Sequence, residues 1–196
     1  DVSDSVWLCQ LLECGLLRGS FIPPADIARL RDLTRYRTKI VQERVRETQR
    51  IQKVLEDAGI KLDSVATDVL GVSCRRMIEA LISGERDPEV LAEMALTRMR
   101  PKIGVLREAL VGRFGDHHAL LLRMHLDHID QLNGIEARID AEVDALMGPF
   151  VEPATRLLSV PGIGKRVGEV IVAEIGVDMS RFPTAGHLAS WVGLCP

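Results

Sequence analysis

The sequence predicts an all-α protein. Apolar residues recur at spacings of three and four along most of the chain, which is the periodicity of one helix face. Residues 25–58 contain neither proline nor glycine, so a long helix is expected there. Val170-Ile171-Val172 is the one β-branched run, and Ala173-Glu174 continue it as a helix that stops at Gly176. We therefore expect helices throughout and no convincing strand.

Composition sets the broad class. With 196 residues, 46% of them hydrophobic, the chain can form one ordinary domain or two small ones. No apolar run reaches the roughly 20 residues that span a bilayer, and no signal-peptide pattern is present, so we expect a cytoplasmic protein without a membrane partner. A net charge of −3 argues against a protein that coats nucleic acid. The four cysteines form no CxxC pair and are expected to be reduced thiols: Cys9, Cys14, Cys74 and Cys195.

The first half of the chain predicts one short and one long helix. Apolar spacing indicates a helix from Val6 to Leu17, and Pro23-Pro24 form an extended link. The long helix then runs from Ala25 to Ala58, about nine turns. Its predicted apolar face comprises Ile27, Leu30, Val41, Val45, Ile51 and Leu55.

A second long helix, His117 to Met147, follows a middle region that glycines and prolines break into shorter helices. Examples are Arg75 to Ile82 and Glu89 to Met99. Two long helices around a helical insert predict a long antiparallel, coiled-coil arm or a dimerising arm. The predicted seam of the second long helix comprises Leu121, Leu132, Ile135, Ile139, Val143 and Leu146.

A small helical segment begins at Gly148-Pro149, with a short helix near Pro153 to Leu158 and another near Thr184 to Trp191. Between them lies the hairpin, Leu157 to Gly176, in which PGIG joins two apolar runs. A helix that opens after such a turn presents backbone N–H groups and its positive dipole end to an anion such as phosphate. The expected contacts are Gly162, Ile163, Gly164, Lys165 and Arg166, in a pattern that resembles the helix-hairpin-helix of DNA-handling proteins. The alternative is a simple corner with two solubilising cations.

Two further patterns carry chemistry. Asp1 and Asp4 lie three apart on one helix face, where paired carboxylates can hold Mg²⁺; the alternative is ordinary complementation of a helix N-terminus. A basic stripe on the first long helix could follow a phosphate backbone, or it could face acids of the second long helix such as Asp140 and Glu136. The basic stripe comprises Arg31, Arg35, Lys39, Arg46, Arg50 and Lys53.

His125 and His128 stand three residues apart near the seam of the second long helix. Such a pair can bind a transition metal. Half-buried, hydrogen-bonded histidines are the commoner arrangement, and we expect it here.

Four stretches together resemble one family. They are DVSD followed by Trp7-Leu8 and Gly15-Leu16-Leu17, the basic helix LRDLTRYR, the LSVPGIG of the hairpin, and RFP through WVGLCP at the end. In this order they resemble the DEDD-type, RuvC-like insertion-sequence transposases related to the pilin-gene invertase and including bridge-RNA-guided recombinases. The chain is identified as an internal fragment of such a protein. No motif supports the likeness between residues 62 and 148.

The resemblance implies a domain plan and a site. Residues 1–24 would be the tail of a RuvC-like nuclease domain whose αβ core is mostly missing, 25–148 a helical domain, and 149–196 the start of a C-terminal domain with the helix-hairpin-helix. Asp1 and Asp4 would be two of four acidic residues that bind Mg²⁺ in the complete protein. The other two acids and a nucleophilic serine would lie outside the chain. The basic motif adds Arg37 to the expected nucleic-acid contacts.

The expected function is DNA transposition by metal-dependent strand cleavage and rejoining, with this fragment alone inactive. DNA is the expected partner, a guide RNA is a second one, and a homodimer or larger oligomer is expected. The alternative is a non-catalytic DNA- or RNA-binding scaffold that dimerises through its long helices.

Overall fold

The computed structural model describes residues 2–17 and 22–193, which contain nine α-helices and no strand. These described residues are 76% helical, so the all-α prediction is confirmed. Short 3₁₀ turns lie at Leu62–Ser64, Thr97–Lys102, Gly148–Phe150 and Met179–Arg181. The helices are α1 (Val2–Glu13), α2 (Ala25–Asp57), α3 (Val72–Ile82), α4 (Pro88–Glu93), α5 (Ile103–Ala109), α6 (Asp116–Leu146), α7 (Val151–Leu158), α8 (Lys165–Ile175) and α9 (Ala185–Val192).

The chain forms two compact units. The larger unit is residues 33–145, and the smaller unit combines residues 1–32 with 146–196. The first residues of α2 therefore belong to the smaller unit, while the rest of that helix and almost all of α6 belong to the larger one.

The core of the larger unit is built around the insert between the long helices. Met77, Leu91 and Leu106 from the insert are completely buried in one cluster with Ile51 of α2 and Leu122 of α6. Burial of each such side chain contributes about 1.5–3 kcal/mol relative to exposure. The middle region, which offers no recognisable motif, thus supplies much of the core of the larger unit.

One predicted helix of the insert is wrong. The periodicity of 89–99 predicts a continuous helix, but α4 ends at Glu93 and a 3₁₀ turn follows at Thr97. The backbone N–H of Leu96 donates to the Ser73 hydroxyl over 2.9 Å, in place of a carbonyl one turn earlier. A hydrogen bond to a residue 23 positions away ends the helix, and local periodicity does not contain that information.

The two long helices run antiparallel within the larger unit. Residues later in α2 bond to residues earlier in α6, so the two helices point in opposite directions. Long polar side chains carry these contacts across the interface. The pairs are Arg37 with Asp140 at 2.9 Å, Arg44 with Glu136 at 2.7 Å, Glu47 with His128 at 2.8 Å, and Asp57 with His118 at 3.0 Å.

The interface of the long helices is more polar than predicted. Val45 and Leu121, expected on the apolar faces, are 50% and 41% exposed, so these two assignments are wrong. The two long helices bury five polar residues, because each of these has a partner in its own helix or elsewhere in the larger unit. The buried polar residues of the two helices are Thr34, Arg37, Glu47, His118 and Glu136.

The smaller unit contains the hairpin. α7 and α8 pack against each other, and the buried face of α8 includes Val172, Ala173 and Glu169. By contrast, α1 buries none of its described residues, and Trp7 is 58% exposed.

Candidate nucleic-acid interface

The turn of the hairpin is set by glycine. α7 ends at Leu158 and α8 begins at Lys165, and the N–H of Ile163 donates to the carbonyl of Val160 over 3.1 Å. Gly162 has φ +90°, a conformation that costs other residues energy, while the space beside its Cα is open. Glycine is therefore required at 162 by backbone geometry and not by crowding.

The N-terminus of α8 opens directly at the turn. Gly164 is the N-cap residue with extended backbone (φ −87°, ψ 172°), and its carbonyl accepts the N–H of Gly168 over 3.0 Å. The first N–H groups of a helix have no carbonyl acceptor within that helix, and the macrodipole places partial positive charge at this end. Among the residues that the structure describes, no atom other than those of Gly164 and its two chain neighbours lies within 4 Å of where a Cβ of Gly164 would be. A phosphate oxygen can approach this backbone without displacing a side chain.

Side chains modify the charge at this end of α8. Lys165 and Arg166 are exposed at the start of the helix. The carboxylate of Glu169, 3% exposed, lies one turn further on and 4.0 Å from the Lys165 ammonium. Glu169 therefore offsets part of the positive charge at this end of the helix, while the Lys165 side chain stays 66% exposed.

Arg31 lies at the opposite end of α8. Its Nε donates to the carbonyl of Ala173 over 3.1 Å and its Nη2 donates to the carbonyl of Glu174 over 2.9 Å. The Glu174 carboxylate is 3.5 Å away, and the Arg31 side chain is only 17% exposed. Arg31, predicted as a nucleic-acid contact, therefore binds the C-terminal turn of α8.

The remaining predicted basic contacts divide into two groups. Arg37 is buried and bonded to Asp140, and Arg50 donates to Glu47 over 2.5 Å. The others lie exposed along one line of α2, because spacings of four and seven return to nearly the same helix face. They are Arg35, Lys39, Arg46 and Lys53. Asp140 and Glu136 of α6 pair instead with Arg37 and Arg44.

The predicted acidic pair is only half described. Asp1 lies outside the described residues, and Asp4 is exposed in the first turn of α1. Within residues 2–17 and 22–193, Asp4 belongs to no group of three side chains close enough to share a metal ion. The paired-carboxylate site of Asp1 and Asp4 therefore stays a prediction.

One described cluster does bring metal-binding atoms together, and sequence reasoning missed it. Asp57, His117 and His118 place one ligand atom each within 4.8 Å of the others. Yet the N–H of Gly115 donates to His118 Nδ1 over 3.0 Å, so Nε2 carries the ring proton and donates it to Asp57 over 3.0 Å. Both nitrogens are engaged, and a metal ion would have to break these bonds. The cluster ties the end of α2 to the start of α6.

His125 and His128 form a second polar cluster with Glu47. Their Nδ1 atoms each donate to one oxygen of that carboxylate over 2.8 Å, so the hydrogen-bonded arrangement of the two histidines is observed. Burial favours a raised pKa for Glu47, but hydrogen bonds from His128 and Arg50 and the nearby positive charge lower it below 4.5. Glu47 is therefore an ionised carboxylate at the interface of α2 and α6.

Comparison with known proteins finds similarity at both ends of the chain. Residues 1–60 match the DEDD domain of IS110 elements, described as Transposase, and residues 154–196 match the Transposase IS116/IS110/IS902 family. The chain is 40% identical over 68 residues to an "Insertion element IS110 uncharacterized 43.6 kDa protein" of Streptomyces coelicolor. That alignment covers 34% of this chain and 15% of the relative. No solved structure matches significantly, and no helix among the described residues is long and apolar enough to cross a membrane.

Proposed function

We propose that the chain is part of an insertion-sequence transposase, and that its hairpin holds the sugar-phosphate backbone of nucleic acid during transposition. IS110-family transposase domains match both ends of the chain. The observation that carries the proposal is that the match at 154–196 contains the open turn and the N-terminus of α8.

The hairpin would act through its backbone. Phosphate oxygens approach the N–H groups after Gly164, the helix dipole favours the negative charge, and Lys165 and Arg166 add exposed cations. None of these groups distinguishes one base from another, so the contact positions nucleic acid without reading sequence. The exposed line of the basic stripe supplies a second set of phosphate contacts.

The cleavage chemistry belongs to the complete transposase. Asp1 and Asp4 would hold a divalent metal, Mg²⁺ in our proposal, together with acids outside this chain. The metal would stabilise the charge that develops on phosphate during strand cleavage. The chain described here would contribute ligands and nucleic-acid contacts and would not cut DNA alone.

The competing proposal is a non-catalytic scaffold that binds DNA or RNA and dimerises through its long helices. An open reading frame that supplies two further acids upstream and a serine downstream contradicts the scaffold.

In either case we propose a homodimer or larger oligomer. Sedimentation at tens of micromolar protein tests this proposal, and a monomer at every concentration excludes it. A guide RNA is the proposed second partner, and the experiment below tests whether the chain binds a structured RNA.

The testing experiment is a salt titration of binding to a short DNA duplex and a structured RNA. The hairpin variant is Lys165→Glu/Arg166→Glu, and the control is Arg98→Glu/Arg100→Glu, which makes the same charge change at exposed positions of the insert. Each phosphate contact contributes about 0.9 to the slope of log affinity against log salt on a duplex. We expect the hairpin variant to flatten this slope by nearly two such contacts and the control to leave it unchanged. Equal loss in both variants, or no binding by the unaltered chain at low salt, contradicts the proposal.

A further inference from the structure

Arg31 links the basic motif of α2 to the far end of the hairpin helix. Its guanidinium donates to the carbonyls of Ala173 and Glu174 and faces the Glu174 carboxylate. We propose that Arg31 is a positioning residue: it fixes the C-terminus of α8 so that the N-terminus of α8 presents its N–H groups to phosphate. This inference rests on the proposed function of the hairpin and gives Arg31 a role other than direct phosphate contact.

The chemistry of the contact suits a tether. The last carbonyls of a helix have no N–H partner within the helix and carry the negative end of its dipole. A guanidinium suits both features of this helix end. Its planar fork donates two hydrogen bonds to the carbonyls, and its positive charge is attracted by the negative end of the dipole. Because the two donors bind two successive carbonyls, they also restrict the orientation of α8 at its contact with Arg31. A lysine has one ammonium and would keep the charge but lose this fork.

The same contact argues against phosphate binding by Arg31. The side chain is mostly buried, and its Nε and Nη2 are directed at protein carbonyls. A phosphate would have to compete with those two bonds. Lys39 and Arg46, further along α2, are exposed, so phosphate can reach them without displacing those two hydrogen bonds.

The rigidity of α8 connects the two ends. α8 has 11 residues, which corresponds to about 16 Å of continuous hydrogen-bonded helix. Neighbouring positions Val172 and Ala173 are buried, so the C-terminal half of α8 is also packed. When this half is held, the turn at Gly164 has a defined orientation; when it is released, the turn is still formed but its orientation varies.

The test uses a variant that removes the tether without changing net charge. Arg31→Met/Glu174→Gln removes one cation and one anion together, and Glu174→Gln alone keeps the two bonds to the carbonyls. The control, Arg29→Met/Asp32→Asn, makes the same neutral exchange at exposed positions of the same helix. Circular dichroism establishes that each variant keeps its helices. The two readouts are amide hydrogen exchange in α8 and salt-dependent binding to the DNA duplex and the structured RNA.

We expect faster exchange in the C-terminal half of α8 and up to about tenfold weaker binding for Arg31→Met/Glu174→Gln, with an unchanged salt slope, because no phosphate contact is removed. Arg31→Lys, which keeps the net charge, should bind more tightly than Arg31→Met/Glu174→Gln. Unchanged exchange, or a slope that falls by about one contact, overturns the tether. If α8 exchanges faster but the unaltered chain binds neither ligand, the tether stands and the proposed function of the hairpin fails.

Discussion

Glu47 on α2 accepts a hydrogen bond from His128 Nδ1 on α6 over 2.8 Å, within the interface of the two long helices. The carboxylate is almost completely buried, and His125 and Arg50 bond it as well. A buried carboxylate with three donors is held in its ionised form. Its contribution to stability therefore depends on pH.

The first prediction concerns acid stability. The pKa of Glu47 is lower in the folded state than its ordinary 4.5, so its ionised form stabilises the fold above that value, and the contribution is lost as pH falls through the folded-state pKa. Glu47→Gln should cost about 1–3 kcal/mol at pH 7, because three donors lose a charged acceptor. The loss should shrink below pH 4.5.

Urea unfolding between pH 3 and 7 measures the Glu47 effect. The control is Glu43→Gln, an exposed residue one turn earlier on α2. A Glu47→Gln penalty that is the same at pH 3.5 and pH 7 would show that the carboxylate charge does not stabilise the larger unit.

The second prediction concerns the buried arginine of the same interface. Arg37, 5% exposed, bonds Asp140, whose side chain is about one-third exposed. Arg37→Met should destabilise by about 1–3 kcal/mol, since it leaves a partly buried carboxylate without this donor. Adding Asp140→Leu should recover part of the loss because the unpaired charge is then gone. A double-mutant cycle in urea checks this, and additive losses contradict a direct coupling.

Sequence periodicity predicts the long helices well because helix formation depends on local spacing and on the absence of proline and glycine. It fails at the interface of those helices. Arg37, Glu47 and Glu136 look solvent-facing in the sequence, yet they are buried because partners far along the chain satisfy them. Val45 is apolar and looks buried, but the actual pairing leaves it exposed.

The candidate site shows the same limit. The open turn and the exposed cations are visible in PGIGKR, because glycine and a following helix start define them locally. The position of Arg31 is not, since an arginine that faces phosphate and one that faces the carbonyls of another helix have the same sequence context. The cluster at His118 was missed because its acid, Asp57, lies 61 residues away.

The third prediction tests whether the insert is a structural core. Leu106 is completely buried, while its neighbour Val105 is 56% exposed. Leu106→Ala should cost about 2–5 kcal/mol through lost burial and a cavity. Val105→Ala should stay within about 0.5 kcal/mol. Thermal unfolding followed by circular dichroism compares the two, and similar Tm values would contradict the packing of the insert.

The last prediction separates the fold of the hairpin from its binding. Gly162 has a positive φ, so Gly162→Ala should destabilise the smaller unit by about 1–2 kcal/mol through backbone strain. Gly164 has an ordinary extended backbone with open space at its Cβ position, so Gly164→Glu should leave the hairpin folded. It should nevertheless weaken nucleic-acid binding, because a bulky anion then stands where phosphate approaches the N–H groups of α8. The weakening should be about equal on unrelated sequences, since backbone contacts carry no base information.

Binding to several duplexes at one salt concentration, with unfolding measured in parallel, distinguishes the two glycines. A loss of binding that depends strongly on DNA sequence contradicts backbone contact at Gly164.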